Sequence, residues 1–154
     1  MSVEQFGELF ENKKIIGVKF TAADFYLLER LRKAYPNHLI YAGFDEMMLP
    51  ATVLGVDGAI GSTFNVNGIR ARQIFDLARE GKIEEAREIQ HVTNDLISAI
   101  LSNGLYSTLK ELLKLNGVDA GYCRKPMALT TEDQVEEAKN IFDKYIKERE
   151  LVNA

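Results

Sequence analysis

The sequence predicts an α/β fold in which about three parallel strands alternate with helices, followed by a purely helical region. Short apolar runs alternate with amphipathic segments over residues 1–81, and beyond residue 81 the apolar residues follow only the 3.6-residue period of a helix. No linker or low-complexity tract divides the 154 residues. Because strand–helix–strand connections are right-handed crossovers, the alternating part is expected to form a parallel sheet.

The beginning of the chain predicts one helix, one strand and a second helix. An amphipathic helix is expected over Val3–Phe10. Residues 15–20 (IIGVKF) form a short apolar run, which is typical of a parallel strand buried on both faces. Hydroxyl and carboxylate side chains in residues 21–24 are suited to cap a helix over residues 25–35, and Pro36 ends that helix.

The same strand–helix pattern then occurs twice more. Residues 39–44 (LIYAGF) predict a second strand, and residues 45–54 a short helix. Residues 58–64 (GAIGSTF) predict a third strand, and residues 68–79 a helix that ends before Gly81.

Three further helices are predicted in the second half of the chain. A long helix over residues 83–100 ends at Asn103 and Gly104, and another helix follows over residues 105–115. Residues 131–134 fit a capping box at the start of the last helix. The side chains of that helix that are expected to point inward are Val135, Ala138, Phe142, Tyr145 and Ile146.

Three strands do not complete a parallel α/β domain. An eight-stranded barrel needs about 200 residues or more, and an outer strand left unpaired presents free backbone groups that favour association. We therefore expect an obligatory partner, either a complementary chain or another copy of this one.

Composition narrows the function classes. The net charge is −4, and basic residues alternate with acidic ones, so neither a nucleic-acid nor a membrane partner is expected. The first ten residues lack the basic and apolar regions of a signal peptide, which predicts a cytoplasmic location. Cys123 is the single cysteine, and His38 and His91 are the two histidines, so neither an internal disulfide nor a multi-cysteine metal site is expected.

Polar or special residues lie at the end of each predicted strand, where parallel α/β folds gather their functional groups. Lys19 is the most unusual, because it interrupts an apolar run in which a charged amine is poorly solvated. An uncharged amine can attack a ketone to form an imine. The alternative is a lysine whose amine simply reaches water at the strand end. Likewise, Asp45 could cap the following helix, and Ser62 and Thr63 could be ordinary polar residues at a strand end.

Three segments in order resemble one family. GVKFTA (residues 17–22) is similar to the Schiff-base lysine strand of the N-acetylneuraminate lyase and dihydrodipicolinate synthase superfamily of (β/α)8 TIM barrels. AGFDE (residues 42–46) resembles the lyase branch, and DGAIGSTFNVNG (residues 57–68) resembles the eighth strand and the loop after it. The similarity continues through residues 103–113 and 122–126, so it covers nearly the whole chain.

The resemblance implies an architecture and a set of site residues. Residues 1–81 would be the last βα units of a TIM barrel, and residues 82–154 a C-terminal three-helix extension that packs on the barrel and contributes to subunit contacts, commonly in tetramers. Lys19 would form the imine with the keto acid. The implied substrate contacts are Thr21, Gly43 (through its backbone), Asp45, Glu46 and Ser62, of which the carboxylates would accept hydrogen bonds from sugar hydroxyls.

The resemblance also implies a reaction that needs no metal or other cofactor. It is the reversible cleavage of N-acetylneuraminate to pyruvate and N-acetylmannosamine by a class I aldolase. The family's tyrosine base and its loop for the pyruvate carboxylate lie on earlier strands and are not among these residues, so the isolated chain is expected to be inactive without a complementary N-terminal half. Two alternatives remain: another pyruvate-dependent member, such as dihydrodipicolinate synthase or a keto-deoxy sugar acid aldolase, and a noncatalytic half-barrel that serves as an assembly or scaffold module.

Overall fold

The computed structural model describes residues 2–147, and these residues form one three-stranded parallel sheet and seven α-helices. The strands, in the spatial order β1-β2-β3, are β1 (Gly17–Phe20), β2 (Leu39–Ala42) and β3 (Gly58–Ala59). The helices are α1 (Val3–Phe10), α2 (Phe25–Ala34), α3 (Met48–Val53), α4 (Phe64–Arg79), α5 (Ile83–Ser102), α6 (Leu105–Leu115) and α7 (Glu132–Tyr145). A 3-10 helix (Asp45–Met47) precedes α3. The predicted α/β class and the parallel pairing are therefore confirmed.

The sheet has one covered face. Val18 pairs with Ile40 and Phe20 with Ala42, and all four belong to a core cluster or pack against it beneath α1 and α2. Strand residues alternate between faces, so Lys19 points to the opposite face. Lys19 is exposed, and among residues 2–147 no helix covers that face, so the expectation that the first strand is buried on both faces is wrong.

The third strand is shorter than predicted. Its ladder ends after Ala59 with one further hydrogen bond, from the Ile60 N–H to the Ala42 carbonyl oxygen at 2.8 Å. The Thr63 N–H then donates to the Asp45 side chain and not to a strand. Residues 60–63 are therefore a loop, and α4 begins at Phe64, four residues before the expected start.

Helix α4 changes direction near its beginning. Asn67 has a non-helical backbone (φ −131°, ψ 18°), and its side-chain amide donates to the Thr93 hydroxyl of α5 at 3.3 Å. The predicted start at residue 68 corresponds to the straight part of the helix beyond this kink. Burial lowers the pKa of the Arg70 guanidinium on the next turn.

An ion pair closes the amino-terminal end of the sheet. The Asp57 carboxylate accepts the Ile40 N–H at 2.7 Å and pairs with the Arg32 guanidinium. Arg32 also donates to the carbonyl oxygens of Pro36 and His38 at 3.1 and 3.2 Å. These bonds join α2, β2 and β3 at the end of the sheet opposite the polar strand ends, where they contribute to stability.

The helical region packs directly on α4. One core cluster combines Ala71 and Ile74 of α4 with Ala86 of α5, and another combines Val66 with side chains of α5, α6 and α7. The capping box predicted at Thr131 is confirmed by the reciprocal Thr131 and Gln134 bonds.

The division into residues 1–81 and 82–154 stays a prediction, and Met1 and residues 148–154 lie outside the described residues. Within the described chain, no helix is long and apolar enough to span a membrane.

Candidate active site

Lys19, Thr21 and Gly43 lie together at the carboxyl ends of β1 and β2. The Gly43 N–H donates to the Phe20 carbonyl oxygen at 2.8 Å, which places Gly43 directly beside the end of β1. A Cβ atom at Gly43 would lie 1.9 Å from Thr21 Oγ1 and 2.9 Å from Lys19 Cε. Because no side chain fits there, only glycine allows these residues to approach so closely.

The environment of Lys19 differs from the sequence-based expectation. The expectation was a poorly solvated amine, but the side chain is exposed on the uncovered face of the sheet. The apolar neighbours in sequence, Val18 and Phe20, point to the other face. Tyr41 pairs in register with Lys19 and so lies on the same face as the lysine, a neighbour that strand alternation could have identified.

Asp45 is buried, with 6% of its surface exposed, and its carboxylate is bound to the loop after β3. Oδ2 accepts the Thr63 N–H at 2.8 Å and also the Thr63 hydroxyl. A Cβ atom at Gly61 would lie 1.6 Å from Oδ1, so a glycine is required there as well. Asp45 does not cap the following helix, because neither the 3-10 helix nor α3 has a side-chain cap. The alternative that Asp45 is a helix cap is therefore wrong.

Glu46 and Ser62 are half-buried at the same end of the sheet. Among residues 2–147, the hydrogen bond of a side chain to Glu46 goes to its carbonyl oxygen and none goes to its carboxylate, which leaves both carboxylate oxygens able to accept from a ligand. The carbonyl oxygen of Ser62 accepts from Asn65 Nδ2 at 2.8 Å. Their roles in substrate binding, like that of Lys19, stay predictions.

Two further residues of α5 contact the loop between β2 and α3 (residues 43–47), which includes the 3-10 helix that carries Asp45 and Glu46. Gln90 donates to the Asp45 carbonyl oxygen and Asn94 to the Glu46 carbonyl oxygen, each at 3.2 Å. Sequence reasoning missed both residues, because they lie more than 40 positions along the chain from Asp45 and Glu46. The apolar pattern of α5 indicated only a helix that packs in the core.

The arrangement provides two kinds of chemistry at one end of the sheet. A primary amine and a hydroxyl are adjacent at Lys19 and Thr21, and two carboxylates follow at Asp45 and Glu46. An amine can form an imine with a ketone, and carboxylates are strong acceptors for hydroxyl groups. Within the described residues, no three His, Cys, Asp or Glu side chains are grouped closely enough to hold a metal ion.

The chain is similar to known proteins over nearly its whole length. The N-acetylneuraminate lyase of Clostridium perfringens (strain SM101) is 74% identical over 145 residues, covering 94% of this chain and 50% of the relative. The crystal structure of N-acetylneuraminate lyase from Fusobacterium nucleatum complexed with pyruvate is 72% identical with a TM-score of 0.90, covering 94% of this chain and 49% of that one. The protein CdNal from Clostridium difficile, in complex with mannosamine, is 72% identical with a TM-score of 0.92, covering 95% of this chain and 50% of that one.

These relatives confirm both the resemblance and the barrel class. The chain spans about half the length of the relatives it matches, which are TIM-barrel proteins, and it corresponds to part of such a barrel. The profile of the dihydrodipicolinate synthetase family matches residues 1–145. The chain therefore belongs to the dihydrodipicolinate synthetase family, and the relatives to which it is similar include N-acetylneuraminate lyases.

Proposed function

We propose that this chain supplies the imine-forming lysine and the sugar-binding carboxylates of an N-acetylneuraminate lyase. Together with the rest of the barrel it would cleave N-acetylneuraminate reversibly to pyruvate and N-acetylmannosamine. The observation that carries the proposal is the contact of Lys19, Thr21 and Gly43 on the uncovered face of the sheet, beside the loop that holds Asp45 and Glu46. The names of the relatives support the same reaction.

The proposed reaction proceeds through a covalent imine. The Lys19 amine attacks the ketone carbon of the substrate, and loss of water gives the imine. When a base removes the proton of the substrate hydroxyl, the carbon–carbon bond beyond the imine breaks and its electron pair moves toward the imine nitrogen. N-acetylmannosamine leaves as the aldehyde, the remaining enamine takes up a proton, and water releases pyruvate and the free lysine.

The other side chains would bind the part of the substrate that leaves. Thr21 lies beside the Lys19 side chain and would hydrogen-bond the substrate near the imine. Gly43 would offer a backbone contact, and Asp45, Glu46 and Ser62 would contact hydroxyls of the sugar chain. Asp45 has one oxygen bound to Thr63, so its Oδ1 is the atom that we assign to the substrate.

We place the general base and the group that binds the pyruvate carboxylate on a further segment of the barrel. The strands β1 and β3 are the outer strands of the sheet in residues 2–147, and each has one edge available for pairing. A complementary N-terminal half-barrel would pair with these edges and cover the exposed Lys19 face. Another copy of this chain is the alternative partner.

The test is reduction with borohydride in the presence of pyruvate, followed by intact mass measurement. Borohydride converts the imine to a stable amine, so the modified protein carries a pyruvyl group. The chain is measured alone and in a mixture with the N-terminal half of the N-acetylneuraminate lyase of Clostridium perfringens named above. We expect an adduct at Lys19 that forms more readily in the mixture. The added N-terminal half would supply the group that binds the pyruvate carboxylate, so pyruvate would be held close to the Lys19 amine.

Matched lysine variants separate the proposed site from general amine reactivity. Lys19→Arg keeps the positive charge but cannot form the imine, so the adduct should disappear. Lys33→Ala removes an exposed lysine on α2 and should leave the adduct unchanged. Absence of an adduct in a folded mixture would refute the proposal and favour the scaffold alternative.

A panel of aldehydes tested with pyruvate distinguishes the proposed reaction from those of other family members. Glu46 beside Asp45 favours a polyhydroxylated partner, so N-acetylmannosamine should react faster than aldehydes without hydroxyl groups. A preference for an aldehyde that lacks hydroxyls would instead indicate another pyruvate-dependent reaction of the family.

A further inference from the structure

Gln90 is a buried side-chain amide with a partner for each of its polar atoms. Its Oε1 accepts the Leu49 N–H at 3.0 Å, and its Nε2 donates to the Asp45 carbonyl oxygen at 3.2 Å and to Asn94 Oδ1 at 2.8 Å. A flipped amide would place oxygen against oxygen at Asp45, so the network defines a single orientation. Gln90 thus fixes both the beginning of the 3-10 helix and the beginning of α3.

Asn94 lies one turn further along α5 and continues the network. Its Oδ1 accepts from Gln90, and its Nδ2 donates to the Glu46 carbonyl oxygen at 3.2 Å. Residues four apart on a helix lie on the same face, so two consecutive turns of α5 hold two consecutive carbonyl groups of the loop. We call Gln90 and Asn94 the amide clamp.

The two carboxylates of this loop are held differently. Asp45 is held through its side chain by Thr63 as well as through its backbone by Gln90. The Glu46 side chain receives no hydrogen bond from residues 2–147, so the position of its carboxylate depends on its backbone, which Asn94 holds. Loss of the Asn94 bond should therefore affect Glu46 more than Asp45.

We propose that the amide clamp positions Glu46 and so determines the selectivity of the site for polyhydroxylated substrates over short ones. Gln90 and Asn94 are positioning residues, since they reach the loop backbone and leave the substrate contacts to Asp45 and Glu46. The inference rests on the proposed function. Binding groups must be held within about 0.5 Å of the productive geometry, and a loop whose carbonyl groups are anchored to a long helix meets that requirement.

The test compares Asn94, within α5, with Asn103, the residue that follows α5. Asn94→Ala removes the bond to the Glu46 carbonyl oxygen, whereas Asn103→Ala removes an equivalent bond, from Asn103 Nδ2 to the Gln134 carbonyl oxygen at 2.9 Å, far from the site. Each variant is mixed with the complementary half-barrel described above. The quantity measured is kcat/KM for N-acetylmannosamine divided by kcat/KM for a short aldehyde without hydroxyl groups, both with pyruvate.

We expect Asn94→Ala to lower this ratio about three- to tenfold, the effect of one hydrogen bond, mainly through a higher KM for the sugar. Pyruvate trapping at Lys19 should be unchanged. Asn103→Ala should leave the ratio unchanged, even if it lowers the midpoint of urea unfolding as much as Asn94→Ala does. Asn94→Asp is the second variant, because it keeps the side-chain size and the acceptor for Gln90 but cannot donate to Glu46.

A double variant tests whether Asn94 acts through Glu46. In a Glu46→Ala background, Asn94→Ala should not change the ratio further. An adduct at Lys19 together with an unchanged ratio in both Asn94 variants would overturn the inference alone. An equal fall in Asn94→Ala and Asn103→Ala would also overturn it, since that result indicates general loosening. No adduct in the unsubstituted protein would overturn the proposed function, and this inference with it.

Discussion

Gly61→Ala tests whether the loop after β3 is built around the Asp45 carboxylate. A Cβ atom at Gly61 would lie 1.6 Å from Asp45 Oδ1, 2.2 Å from Cγ and 2.6 Å from Oδ2. All three distances are far below van der Waals contact, so the carboxylate must leave its place. Its departure breaks both hydrogen bonds from Thr63, and Thr63 is buried, with 3% of its surface exposed.

The expected magnitude follows from these two bonds. Hydrogen bonds to a charged group contribute about 1.5–3 kcal/mol each, so the loss of both should lower the free energy of unfolding by about 3 kcal/mol or more. The slope of urea unfolding for a protein of this size is about 2 kcal/mol per molar. The midpoint of urea unfolding should therefore fall by about 1.5 M, with the slope unchanged.

The same substitution at Gly68 is the matched control. Gly68 is exposed in α4, and no atom lies within 4 Å of an added Cβ. Gly68→Ala should leave the urea midpoint unchanged or raise the stability by up to about 1 kcal/mol. An unchanged urea midpoint in Gly61→Ala would refute the reasoning. So would an equal loss of free energy of unfolding from Gly61→Ala in the unsubstituted chain and in an Asp45→Ala background, where the carboxylate is absent.

Three further predictions concern the lysine, the ion pair and the core. Gly43→Ala should reduce pyruvate trapping by up to about 100-fold, because its Cβ would come within 2.9 Å of Lys19 Cε and displace the amine; trapping at the unsubstituted rate would contradict this. Asp57→Ala should lower the free energy of unfolding by about 1.5–3 kcal/mol, measured in urea, since a backbone N–H of β2 loses a carboxylate acceptor at 2.7 Å; an unchanged midpoint would argue against it. Ile74→Ala should cost about 2–5 kcal/mol because Ile74 is completely buried, whereas Ile69→Ala on the exposed side of the same helix should change the free energy of unfolding by less than about 0.5 kcal/mol; equal costs would refute the assigned core.

Local signals predicted most of the secondary structure. The helices Val3–Phe10 and Leu105–Leu115 have the predicted bounds, and the capping box at Thr131 forms. Caps and 3.6-residue spacing depend on residues within a few positions of one another, so they can be recognised without the fold. The family resemblance rests on contiguous motifs and was predictable for the same reason.

The errors of prediction occur where distant residues compete with local preference. The residues of the segment GAIGSTF predict a strand. The Thr63 N–H instead donates to the Asp45 carboxylate, 18 positions earlier in the chain, and the strand ends at Ala59. Lys19 stands in an apolar run, yet alternation along β1 and the absence of a covering layer in residues 2–147 expose its amine.

The sequence by itself determined the α/β class, the order of the elements, the family and the strand ends at which the polar residues gather. These properties follow from periodicity, capping and short motifs, which act over a few residues. Only the tertiary structure decided that Gly43 leaves room for Lys19 and that Gly61 leaves room for Asp45. It also decided that Gln90 and Asn94 bind the carbonyl oxygens of Asp45 and Glu46. Those contacts join groups 16 to 48 positions apart, and their geometry exists only once the helices have packed on the sheet.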